Sequence, residues 1–178
     1  MPTECPAADA KIGRKIDYLV VGHLAPALAP LGFQRKARVL WRDEGEGEAR
    51  VLQVVNLQGG KWNEGSAGEV CLNLGTQFVE RMRRAAAQPG NEWMAGYVGV
   101  PDDAACQVRT RIGGTLPTTR EAWWPDTLGP AQDTWLQIDM RTDLDELGAL
   151  IARLVTEYGL PWLERASRGE AVEAFCFV

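Results

Sequence analysis

The sequence predicts an α+β fold in which a single antiparallel sheet of about five strands carries an N-terminal and a C-terminal helix on one face. Two observations carry that expectation. Near each end, apolar residues recur three and four apart: Ile12, Ile16, Leu19, Val20, Leu24, Leu28 and Leu31, then Leu144, Leu147, Leu150, Ile151, Leu154 and Tyr158. That spacing gathers one buried face on a helix. Between them lie segments with the two-residue alternation of a half-buried strand, separated by Gly, Pro and acid-rich turns.

The first helix is expected over residues 9–31. Pro26 and Pro30 each remove a backbone donor and so bend or restart it, and Gly32 stands where a helix stop belongs. Residues 33–42 alternate Phe33, Ala37, Val39 and Trp41 with Gln34, Lys36, Arg38 and Arg42, which predicts one strand with the first set toward the core, Arg35 breaking the pattern at its start. The acidic run 43–48 turns the chain. Residues 50–58 then return antiparallel, with Val51, Val55 and Leu57 inward and Asn56 and Gln58 outward. After Gly59 and Gly60 a third strand, 69–75, puts Val70, Leu72 and Leu74 inward and Glu69, Cys71 and Asn73 outward.

Good helix formers over 78–87 run to a stop at Pro89 and Gly90. A strand over 105–112 sets Val108, Thr110 and Ile112 against Arg109 and Arg111. The loop 116–133 holds Trp123 and Trp124; the extended backbone expected before Pro125 turns adjacent side chains in opposite directions. A fifth strand, 134–140, places Leu136, Ile138 and Met140 inward against Trp135, Gln137 and Asp139. The last helix starts at a cap on Thr142 or Asp143, and Gly159 with Pro161 is expected to close it. A short helical turn is expected over 161–168, and the apolar residues 171–178 are expected to dock on the body of the protein.

With 178 residues, 46% of them apolar and 24% charged, the chain fits one globular domain over 1–178, residues 1–8 forming a flexible N-terminus. A net charge of −5 argues against a surface given over to nucleic acid or membrane, and no segment reads as a secretory signal or a membrane span. The expected location is the cytoplasm. Four distant cysteines and a single histidine exclude a zinc site of ordinary spacing, so neither a metal nor another cofactor is expected. Cys71 and Cys106 read as small buried hydrophobes.

Catalysis finds little support. His23 lies beside an apolar helical stripe and reads as a structural, partly buried side chain, leaving no nucleophile with a base in reach. Asp102 and Asp103 sit in a turn-like segment, and Gly59-Gly60-Lys61 lacks the spacing of a phosphate-binding loop. The informative pattern is distributed: if the strands share one sheet, its non-core face collects Lys36, Arg38, Arg42, Asn56, Gln58, Asn73, Arg109, Arg111, Trp135 and Gln137. That would be a basic, amide-rich surface on an acidic protein, bordered by Lys61, Trp62 and one of Trp123 and Trp124. Arginine and tryptophan are the residue types that dominate binding hot spots.

The order LGFQRKARVLWR, VVNLQGGKW, EVCLNLG, CQVRTRIG and WW before a Leu-rich helix resembles the bacterial family catalogued as domain of unknown function 4304. The resemblance covers residues 9–162. It rests on Gly32, Phe33, Asn56, Gln58, Lys61, Asn73, Gly75, Arg111, Gly113, Trp123 and Trp124. Gly60 stands where similar sequences tend to have a serine, and Cys71 where a threonine is usual. The resemblance implies no activity and no catalytic residues.

The expected function is therefore a non-catalytic binding protein of the immunity or antitoxin kind. Its candidate binding residues for a protein partner are Arg38, Asn56, Gln58, Lys61, Trp62, Asn73, Arg109, Arg111, Trp123 and Trp124. The alternative is an enzyme or small-anion binder with a pocket between the sheet and the loop 116–133, where Arg111 and Lys61 would hold the anion. Nucleic-acid binding by the basic face is the weakest reading.

Overall fold

The computed structural model describes residues 4–126, 128–129 and 134–170, together with the backbone of 175–176. The fold is α+β, with an antiparallel sheet and helices from both ends of the chain on one of its faces. The strands are β1 (Gln34–Lys36), β2 (Val39–Glu44), β3 (Val51–Gly59), β4 (Gly68–Phe78), β5 (Val108–Arg111), β6 (Leu136–Ile138) and β7 (Phe175–Cys176). They run in the order β1-β2-β3-β4-β5-β7, and β6 pairs with the start of β4. β4 is the spine: β3 lies along one edge, while β6 takes Gly68 to Val70 and β5 takes Asn73 to Thr76 on the other.

The N-terminal helical run comprises α1 (Ile12–Tyr18), a π-helical turn Leu19–Leu24, α2 (Ala25–Leu28) and a 3₁₀ turn Ala29–Leu31. The other helices are α3 (Val79–Ala86), α4 (Leu144–Leu154) and α5 (Leu160–Ser167), with a second π-helical turn, Val155–Gly159, joining the last two. Both π turns precede a proline, Pro26 and Pro161, each in the first turn of the following α segment. A proline lacks the N–H that would return to residue i−4, and its ring crowds that carbonyl. Widening the preceding turn removes both conflicts without stopping the helix. Gly159 and Pro161 therefore do not close the C-terminal helix as expected. Gly32 does end the N-terminal run, in the left-handed conformation (φ 85°).

The core between helices and sheet gathers Ile16, Leu19, Leu24 and Leu28 with Ile151, Leu154 and Leu163 over Val55, Leu57, Val70, Leu72 and Leu74. The inward sets expected for the strands at 50–58 and 69–75 lie on this face, Val51 being buried as well. Two expected core residues do not: Leu31 is 41% exposed and Met140 is 60% exposed. Gln53 is fully buried on the helix side, accepting from Arg42 Nε (2.6 Å) and donating to Ser167 Oγ (2.7 Å), so one amide ties β3 to β2 and α5. Lys15 is buried too, its ammonium donating to the carbonyls of Ser66 (2.8 Å) and Asp139 (2.9 Å).

Residues 33–42 do not form one strand. Ala37 takes a positive φ of 52°, and Lys36 pairs with Val39 across a two-residue turn, giving the hairpin β1–β2. The turn changes the side each residue faces: Leu40 is buried opposite Val55, while Val39 and Trp41 sit on the other face opposite Asn56 and Val54. The expectation for residues 1–8 lies outside the described residues at positions 1–3. So does the docking of 171–178, apart from the backbone pairing of β7 with β5 at Val108 and Arg109, and so do residues 127 and 130–133 of the loop.

Candidate binding site

Strand register, which sets the side every residue faces, places Val39, Asn56, Asn73 and Arg111 in one row across β2, β3, β4 and β5 on the face away from the helices. The neighbouring rows on this face contain Trp41, Val54, Gly75 and Arg109 on one side, and Gln58 with Cys71 on the other. Five of the ten candidate residues, Asn56, Gln58, Asn73, Arg109 and Arg111, are thus brought together.

The remaining five lie elsewhere. Arg38 is on the helix side, where its Nε meets Asp17 Oδ1 at 2.7 Å and its Nη2 donates to the Gly13 carbonyl at 3.0 Å. The β1–β2 turn puts it there, so the expectation that it belongs to the polar face is corrected. Lys61 and Trp62 lie in the β3–β4 connection, with the ammonium 4.9 Å from the Trp62 ring centroid and the indole 82% exposed. That connection is anchored toward α1, since Ile12 N donates to the Gly65 carbonyl. Trp123 and Trp124 pack against Tyr158 on the helix side, Trp124 buried and Trp123 partly so.

One end of the face is roofed by residues 79–106, which begin with the expected helix, α3, but whose placement over the sheet the local pattern could not foretell. Gln77 holds that roof, donating to the carbonyls of Tyr97 (2.9 Å) and Ala105 (3.0 Å) and accepting from Gly99 N (2.6 Å). Gly75 is required beneath it, because a Cβ there would come within 2.6 Å of Cys106 Sγ. A glycine inside a strand is the sequence signal for such an approach. The roof ends at Asp103, whose Oδ1 accepts from Asn56 Nδ2 at 2.6 Å. Burial pushes the Asp103 carboxyl above its usual range, against the opposing Asn56 bond, and Asp102 adds to the rise.

Beyond Asp103 the face is lined by side chains that reach solvent. Gln58 and Gln137 are exposed, and Asn56, Arg109, Arg111 and Trp135 are partly exposed. Gln58 Oε1 accepts from Asn73 Nδ2 at 2.7 Å, so the buried Asn73 orients an exposed amide. The Arg111 guanidinium lies 5.0 Å from the Trp135 ring centroid, spanning the fork where β5 and β6 diverge from β4. Cys71 is fully buried at that fork. Burial pushes its thiol up to about 11 despite Arg111, which makes it a poor nucleophile.

Residues 24–165 match the family described as Domain of unknown function (DUF4304). The chain belongs to the DUF4304 family. The matched span contains all ten candidate residues and begins within the first π turn, so α1 falls outside it. No curated protein and no solved structure matches the chain.

The described residues contain no group of three or more His, Cys, Asp or Glu side chains able to hold a metal ion. No helix among them is long and apolar enough to cross a membrane. His23 bonds to the Asp145 carboxylate (3.1 Å), and Tyr18 donates to the same oxygen at 2.5 Å. A cavity does lie beside the 116–133 loop, but its described lining includes neither Arg111 nor Lys61, and its arginine is Arg153.

Proposed function

We propose that this DUF4304 protein is a cytoplasmic, non-catalytic binding protein of the immunity or antitoxin kind that takes a protein partner on the unroofed half of its polar sheet face. The observation that carries the reading is the cross-strand row Asn56–Asn73–Arg111 with Gln58 beside it: side chains on paired positions, Asn73 bonded to Gln58 and Asn56 to Asp103, with polar groups turned to solvent. Side chains ordered before binding lose less rotamer freedom on association. Arg111, its guanidinium 5.0 Å from the Trp135 ring centroid, is partly exposed in this row, and arginine is among the residue types that dominate binding hot spots.

Exposed aromatic side chains on the roof extend the surface: Trp93 is 68% exposed and Tyr97 44%, with their rings edge to face. The test is affinity capture from the native host, then hydrogen exchange on the purified complex. Protection of β3, β4 and β5 is expected, with capture lost in Arg111→Glu and Gln58→Glu. Unchanged capture by both variants, or protection confined to the helices, would overturn the proposal.

A further inference from the structure

A cavity of about 560 Å³ opens on the helix side, between Trp123–Pro125, β6 and the first turns of α4. Its size is that of a small-molecule site, roughly 300–1,000 Å³. Trp123, Trp124, Leu147 and Leu150 form its walls, and Asp143, Glu146 and Arg153 are the charged residues of its described lining.

The charges decide what it fits. Arg153 Nε is paired with Glu157 Oε1 at 2.6 Å, so its charge is already answered. The α4 N-terminus, which would otherwise attract an anion, is capped by Asp143, whose Oδ1 accepts from the amides of Asp145 and Glu146. Asp143 and Glu146 then leave the cavity with an excess of negative charge.

The walls are aromatic and apolar. Trp123 stacks on Tyr158 with centroids 6.2 Å apart and planes at 11°, and Trp124 meets both edge on. The Arg153 guanidinium sits 3.8 Å from the Trp123 ring centroid and takes that π surface, which leaves Trp124, Leu147 and Leu150 as the apolar wall.

We propose that this cavity binds a small organic cation with an apolar or aromatic body, its charge placed beside the carboxylates of Asp143 and Glu146 and its body against Trp124, Leu147 and Leu150. The site is on the opposite side of the sheet from the partner face, and either can fail without the other.

The experiment titrates the full chain with benzyltrimethylammonium, benzyl alcohol and benzenesulfonate, read by calorimetry and tryptophan fluorescence. The ammonium should bind saturably and about tenfold or more tightly than the neutral and anionic probes. The double variant Asp143→Asn/Glu146→Gln should weaken it by about fivefold or more with the thermal midpoint preserved, because asparagine keeps the helix cap. Absence of saturable ammonium binding, preference for the sulfonate, or indifference to the double substitution would overturn the proposal.

Discussion

Asn56 Nδ2 donates to Asp103 Oδ1 at 2.6 Å across the boundary between the roofed and unroofed halves of the sheet face. A single amide thus supports a carboxyl that burial would rather keep protonated. Because the folded Asp103 value is raised, its proton is held more tightly in the folded chain than in the unfolded one. Its contribution to stability is therefore fully present below the unfolded value, about 3.9, and is lost as pH rises through the folded value. Asp103→Asn retains the Asn56 bond without the buried charge. Urea unfolding should show the variant matching the native chain in acid and equalling or exceeding it at neutral pH. A variant less stable only at neutral pH would mean that the charge is needed, most directly by Arg109.

Gly148 of α4 lies against His23, and a Cβ there would overlap the imidazole ring. In an exposed helix Gly→Ala would stabilise by about 1 kcal/mol. Here Gly148→Ala should destabilise by about 1–3 kcal/mol through overpacking. In a His23→Ala background the sign should reverse, which a double-mutant cycle by denaturant unfolding would reveal.

Lys15 joins three separate pieces of chain: α1, the β3–β4 connection at Ser66 and the segment after β6 at Asp139. Lys15→Met preserves the apolar stem but strands two carbonyls. The loss should be about 1–3 kcal/mol. Amide exchange should accelerate first in residues 60–67, and a uniform acceleration would argue against the anchoring role.

Thiol chemistry separates the cysteines. Cys5 is exposed, whereas Cys71 and Cys106 are buried with their thiols pushed upward, chiefly by burial. Maleimide labelling of the native chain at neutral pH, mapped by peptide mass, should modify Cys5 rapidly and spare Cys71 and Cys106 until urea unfolds the protein. Native labelling of Cys71 would show that the sheet opens around this strand position.

An element was legible in the sequence to the extent that its own pattern determined it. β3 and β4 alternate over long spans, so Val55, Leu57, Val70, Leu72 and Leu74 were legible as core and Asn56, Gln58 and Asn73 as their opposites. The β1–β2 turn was not legible, because Lys36-Ala37-Arg38-Val39 lacks the Asn, Asp or Gly that ordinarily marks a two-residue hairpin. That one turn displaced Arg38 and Arg42 from the polar face and brought Val39 and Trp41 onto it. The roof was hidden for a different reason: its 3₁₀ turns, Glu92–Tyr97 and Asp103–Ala105, follow no long period. Only Gly75 advertised it. Trp123 and Trp124 do not turn in opposite directions as the extended backbone before Pro125 suggests: the two rings meet each other and the same Tyr158, more than 30 residues away, which no local pattern could show.

The two π turns ahead of Pro26 and Pro161 bear on chain length. Each holds an extra residue relative to an α-helical path, equivalent to a one-residue insertion absorbed within the helix, which would otherwise rotate the downstream segment by about 100°. Deleting one residue from Leu19–Leu24 or Val155–Gly159, with the proline replaced by alanine, would restore a straight α-helical frame. The downstream residues would then occupy the same faces as now, whereas the deletion with the proline retained would set the helix against itself. In each helix, then, the proline and the extra residue form one unit of sequence and can be removed only together.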